Sequence, residues 1–271
     1  NLGYARMRAG RNLEAADAFT RALSLDPKNT ASLALRGRSL DLAGRSGDAL
    51  LDLEQAAALT PDDPGVAASL GWTLLHLKRE EEAAAQFEKA VSGNPDDSGS
   101  WIGYASARDT PGHTEDSLAV LDRAVEAIPD SPTLWNARGT LLFRLGRTGE
   151  ALTSFEEVVG LDPTHARGWF NLGSALDRTG RNEEAVEAYG RALVLNPGDP
   201  HAWINKGGTL VRMEKYEEAL RSLDRAVALA PDDAAAWNNR GLALKHLGKK
   251  REAAAAFRKA RKLDPSLGKQ P

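Results

Sequence analysis

The stretch WFNLGSALDRTGRNEEAVEAYGRALVLNP, from Trp169 to Pro197, contains two amphipathic segments joined at a glycine. Trp169, Leu172, Gly173 and Leu176 are spaced i, i+3, i+4, i+7, which marks one face of a first helix. Gly180 follows, a residue suited to the left-handed conformation that closes a helix. Glu184 lies in the first turn of the second segment, where a negative charge meets the helix dipole favourably. Ala185, Tyr189 and Ala192 then share one helical face. Pro197 cannot continue a helix. The stretch reads as helix, turn, helix, stop.

Outward from it, the same pattern recurs. Pro27, Pro61, Pro95, Pro129, Pro163, Pro197, Pro231 and Pro265 stand 34 residues apart, with no insertion or deletion. A fixed period of this length signals a repeat array. With the proline at position 32, full units cover 30–63, 64–97, 98–131, 132–165, 166–199, 200–233 and 234–267. A truncated unit covers 1–29, and 268–271 form a tail, so 1–267 is expected to be one array.

Position 4 is tryptophan in the last five units, and position 8 is glycine everywhere except Ala105. Position 20 is alanine except Ser117, position 24 is large and apolar, and position 27 is alanine except Val158. Small residues at 8 and 20 are expected where the two helices of a unit approach closely. Position 19 is acidic throughout. Asn29, Asp63, Asp97, Ser131, Asp199 and Asp233 precede the first helices as N-caps.

The pattern W-x2-[LR]-G-x2-L, then G, then A-x3-[FY]-x2-A, then P, resembles the tetratricopeptide repeat over residues 1–267. The resemblance implies an all-α fold: an α-solenoid, a right-handed superhelix of antiparallel helix pairs with the first helices on the concave face. It also implies a non-enzymatic protein-interaction scaffold that binds in its groove.

Composition agrees with a repeat array that buries a core. The chain is 42% hydrophobic and 27% charged, with a formal net charge of -3. That balance argues against nucleic-acid binding through bulk charge. No apolar run has the length of a membrane span, and no membrane partner is expected. Without cysteine there are no disulfides or thiolate metal sites. The five histidines are scattered without metal-ligand spacing, and no nucleophile elbow or phosphate loop appears, so neither an enzyme nor a cofactor is expected. The compartment stays open, with the cytoplasm as the expectation.

Two irregularities stand out. The run ARDTPGHTED, Ala107 to Asp116, puts Pro111 at position 14, which predicts an early end to that first helix and a hinge or lip there. At position 28, apolar in seven units, the last unit has Arg261 in a heavily charged run, which reads as a polar cap. The chain enters partway through a first helix, so a fragment of a longer protein is expected.

Positions 2, 5, 6, 9, 12 and 13 face away from the 4-7-8-11 stripe and, by the resemblance, line the groove. Asn171, Asn205 and Asn239 repeat at position 6, where a carboxamide can pair with a peptide backbone. Arg144, Arg178 and Arg212 repeat at position 13, with Arg167, His201, Lys245 and His246 beside them. Arginine matches carboxylates bidentately, which points to an acidic peptide as partner. Trp72, Phe143, Phe170, Ile102 and Ile204 are the expected exposed apolar anchors. Two other readings stand beside this peptide-binding one. One is a substrate-recruiting arm of a larger enzyme, and the other is self-association through the N-terminal end.

Overall fold

In the computed structural model, which describes residues 2–268, each 34-residue frame folds into two helices. The pairs run α1 (Leu2–Arg8) and α2 (Asn12–Leu25), α3 (Thr30–Leu42) and α4 (Ser46–Leu59), α5 (Pro64–His76) and α6 (Glu80–Gly93), and α7 (Ser98–Arg108) and α8 (Thr114–Ala127). They continue with α9 (Pro132–Arg144) and α10 (Thr148–Leu161), α11 (Ala166–Arg178) and α12 (Asn182–Leu195), α13 (Pro200–Arg212) and α14 (Tyr216–Leu229), and α15 (Ala234–His246) and α16 (Lys250–Leu263). A 3-10 turn, Pro265–Gly268, follows. Among the described residues there is no strand, and no helix is long and apolar enough to cross a membrane. The expected tail lies outside the described residues except for Gly268, and so does Asn1.

The fold is all-α, with helix pairs stacked as in an α-solenoid. Contacts divide the chain into two compact units, one up to Ala137 and one from Arg138 onward. In the first, α3 packs on both α4 and α5; in the second, α13 packs on both α14 and α15.

The small residue at position 8 has a specific cause. A Cβ at Gly37 would lie 2.7 Å from Leu53 Cγ, and one at Gly207 would lie 2.5 Å from Leu223 Cγ. Gly139, Gly173 and Gly241 stand the same way over Phe155, Tyr189 and Phe257. Position 24 therefore inserts beneath position 8 of its own unit, at a separation too short for a Cβ at these glycines. Leu53, Phe87, Phe155, Tyr189 and Leu223 are among the most deeply buried side chains.

The tryptophan at position 4 is tied to the periodic proline. Indole Nε1 of Trp101, Trp135, Trp169, Trp203 and Trp237 donates to the carbonyl oxygen of Pro95, Pro129, Pro163, Pro197 and Pro231, at 2.8–3.0 Å. The carbonyl of the proline that ends one unit is thus satisfied by the helix that begins the next.

Six glycines at position 15 hold positive φ, from 72° at Gly10 to 87° at Gly112. Lys78 and Glu214 occupy the same place at φ 61° without being glycine. The regular first helices close with two bonds, as in Gly44 N–H to Asp41 O and Arg45 N–H to Leu40 O, both 2.9 Å. The residue that donates the second bond is also the N-cap of the next helix. Its own side chain makes no cap bond. Instead a base there reaches the first-turn acid, as in Arg79–Glu82, Arg147–Glu150 and Arg181–Glu184 at 2.6–2.7 Å. These pairs hold the three carboxyls below their usual range. The sequence reading explained the acid but not its partner three residues earlier.

Asn29, Asp63, Asp97, Asp199 and Asp233 each accept backbone N–H bonds at the start of a first helix. Where the array has no such cap, His165 Nδ1 accepts from Gly168 N–H at 2.9 Å. In the irregular unit α7 ends at Arg108, leaving 11 residues where the other full-length first helices have 13. The early stop is the one Pro111 predicts.

Candidate peptide-binding face

In the second compact unit the outward positions of α11, α13 and α15 come from three successive copies of one helix, so equivalent residues recur in register. Asn171, Asn205 and Asn239 are all half-buried. Their burial has a cause in the packing: position 6 looks towards the preceding repeat. The Asn205 amide acts on the hydroxyl of Tyr189, a position-24 side chain one repeat earlier, favouring its ionised form. Asn239 Nδ2 lies over Gly208, 3.2 Å from where a Cβ there would stand. In the first unit residues at the same position include Leu35, Ser69 and Gly103, and a Cβ at Gly103 would come within 2.3 Å of the Phe87 ring.

Tyr189 gathers several of these groups. Its hydroxyl donates to Ser174 Oγ at 3.4 Å, and Phe170 meets its ring at a centroid distance of 6.0 Å. Burial pushes the Tyr189 phenol up to about 12, against the opposing effect of its bond to Ser174.

The basic row is less uniform than its spacing suggests. Arg144, Arg167, Arg178, Arg212 and Lys245 are all exposed. Arg178 lies 5.0 Å from the centroid of Phe143, a cation–π contact. Arg212 pairs with Asp177, whose carboxylate also accepts from Thr209 Oγ1 at 2.7 Å. That anchors the Arg212 head to the preceding repeat and offsets its charge. His246 stacks on Tyr216 with centroids 4.4 Å apart.

The apolar anchors are less open than expected. Phe143 and Phe170 are half-buried. Ile204 is 8% exposed and packs with Ala226 and Ala236, because α13 is enclosed by its own α14 and by the next repeat. The expectation that Ile204 is an exposed anchor is therefore wrong.

Trp72 belongs to the first unit, where Ile102 is also half-buried. Its ring meets Phe87 edge-on at 5.2 Å, and it lines a surface cleft with His76, Lys78, Asp109 and Pro111. Beside it Asp41, a buried carboxylate, bonds His76 Nδ1 at 2.9 Å and Ser46 Oγ at 2.6 Å. Asp41–His76 and Asp177–Arg212 occupy the same two repeat positions, 12 and 13 of neighbouring units. In sequence the signal of this link is an aspartate with a base 35 residues later.

Among the described residues no three His, Asp or Glu side chains group as a metal site would. The tetratricopeptide repeat profile matches residues 1–67, 37–98, 70–132, 105–166, 136–200 and 204–267. The chain is a tetratricopeptide repeat protein. This solenoid is a fold typical of non-enzymatic protein–protein scaffolds. No curated protein matches the sequence.

Among solved structures, the repeat array is similar to YrrB, a TPR protein with an unusual peptide-binding site. Identity is 24% over 68% of this chain and 96% of that one, with a TM-score of 0.60. It is similar to pilF of Pseudomonas aeruginosa at 20% identity over 74% and 92% of the two chains, TM-score 0.62. MamA matches at 23% identity over 61% and 97%, TM-score 0.57. At these identities the likeness establishes the fold alone.

Proposed function

We propose that the second compact unit holds an extended, acidic segment of a partner protein along α11, α13 and α15. One observation carries the reading: asparagine recurs at the same half-buried position in three successive repeats, beside the exposed bases Arg167 and Lys245. A carboxamide offers a donor and an acceptor together, so it pairs with a peptide backbone whatever its side chains. Phe170, half-buried against Tyr189, supplies an apolar contact with a fixed ring. Charge preference comes from the exposed bases along this face, with the charge of Arg212 offset by Asp177. The likeness to a TPR protein with a peptide-binding site favours the same reading.

The test is binding to arrayed extended peptides, acidic and neutral, at low and moderate salt. Acidic peptides are expected to bind and to weaken as salt rises. Replacing Asn171 and Asn239 with Ala should abolish that binding with helicity unchanged. Unaltered affinity in the double variant sinks the site, and equal retention of neutral peptides removes the charge preference.

A further inference from the structure

The formal charge of -3 conceals a polarised chain. Residues 234–267 carry nine Lys and Arg against Glu252 and Asp264, a net +7. Residues 30–131 carry eight bases against eighteen acids, a net -10. The positive excess is concentrated on α16. Its apolar side is already occupied, with Ala253, Ala256 and Ala260 buried. Lys250, Arg251, Arg258, Arg261 and Lys262 are exposed, and the exposed residues between them, Ala254 and Ala255, are short enough to admit close approach.

The two charged surfaces share a register. Repeat positions 18 and 25 lie on one face of every second helix. On α16 they are Arg251 and Arg258; on α6 they are Glu81 and Glu88, both exposed. Position 25 is also acidic on α4, as exposed Glu54. Seven residues at about 1.5 Å rise put each pair roughly 10 Å apart, so the two rows match in spacing as well as sign.

We propose that the basic face of α16 in one molecule docks on the acidic face of α6 in a second copy of this chain. A nucleic acid or an anionic membrane would answer only the basic face of α16 and leave the acidic face of α6 unmatched. The outer face of α16 also offers no large apolar side chain to enter a bilayer. A second copy supplies both signs in matching register. The contact joins two different surfaces, so a pair still presents one free α16 and one free acidic face, and assembly continues with concentration.

Sedimentation velocity of the full chain tests this at roughly 0.02 M and roughly 0.5 M salt, where screening lengths differ severalfold. The expected result is a mass that grows with concentration at low salt and a monomer at high salt. Two variants locate the contact: Arg251, Arg258, Arg261 and Lys262 all to Gln, and Glu54, Glu81 and Glu88 all to Gln. Each alone should remain a monomer at low salt with unchanged helicity. Their equimolar mixture should form a dimer and stop there, because it retains one intact pair of surfaces. A wild-type monomer at low salt overturns the proposal, as does a mixture that fails to pair. A monomer that instead retards a DNA duplex in a salt-dependent way overturns it in favour of nucleic acid.

Discussion

The first and second compact units are built on one frame and diverge at several positions the frame leaves free. Both place a position-24 side chain under position 8, and both link position 12 to position 13 of the next repeat. In the first unit that link is Asp41–His76, with Asp41 buried; in the second it is Asp177–Arg212, more open and shared with Thr209. At position 6 the first unit has Gly103 over Phe87, and the second has Asn205 over Tyr189. At these two repeat junctions the same packing site is apolar and closed at Gly103, and polar at Asn205. Position 24 therefore influences what the next repeat presents at position 6, so core chemistry and surface chemistry change together.

The strongest challenge to this shared frame is at position 8. A Cβ at Gly207 would stand 2.5 Å from Leu223 Cγ, and Leu223 is fully buried. Gly207→Ala is expected to cost about 3 kcal/mol in urea unfolding, the upper end for overpacking a close-packed core. The first unit already has Ala105 at this position, buried at 4% exposure. There Ala105→Gly is expected to cost about 1–2 kcal/mol, the ordinary penalty for helical glycine plus the loss of a buried methyl. A tolerated alanine at 207 would mean that the frame does not set the interhelical distance.

Position 24 separates the units by pH. The Tyr189 phenol is raised by burial to about 12, above the ordinary value near 10. The unfolded chain therefore loses this proton first. The contribution to stability is complete below about pH 10 and is lost as pH climbs towards 12. The loss is up to about 3 kcal/mol. Tyr189→Phe should remove that alkaline loss when its unfolding is compared with wild type across the interval. Phe87→Tyr in the first unit offers the converse, a loss created where none existed.

The frame was legible because each of its elements leaves a residue type at a fixed spacing. Gly207, Pro197 and Glu184 identify a close approach, a stop and a helix start without reference to anything distant in the chain. The candidate face was legible in register but not in exposure. Asn205, Arg212 and Ile204 all fall at positions that the spacing sets apart from the core stripe of α13. Their burial depends on the preceding and following repeats, through Tyr189, Asp177 and Ala236. A helical wheel treats one helix as alone, whereas a first helix in an array has neighbours on both flanks. The proline–tryptophan link was missed for a related reason. Its acceptor is a backbone carbonyl, which leaves no mark in the sequence beyond the two periodic residues themselves.

The smallest expected effect tests whether the frame acts equally in both units. Lys78 in the first and Glu214 in the second sit at φ 61° where six repeats have glycine. A left-handed conformation costs a non-glycine residue roughly 1 kcal/mol or more, and glycine adopts it freely. The unfolded chain gains entropy on the same change, which offsets part of the benefit. Both residues close the same two-bond turn, with Arg79 N–H reaching Leu74 O and Lys215 N–H reaching Leu210 O at 2.9 Å. Lys78→Gly and Glu214→Gly should therefore each stabilise the chain by about 0.5–1 kcal/mol in equilibrium unfolding. A gain at 214 alone would show that Lys78, at the edge of the Trp72 cleft, makes a contact there that compensates its strained backbone.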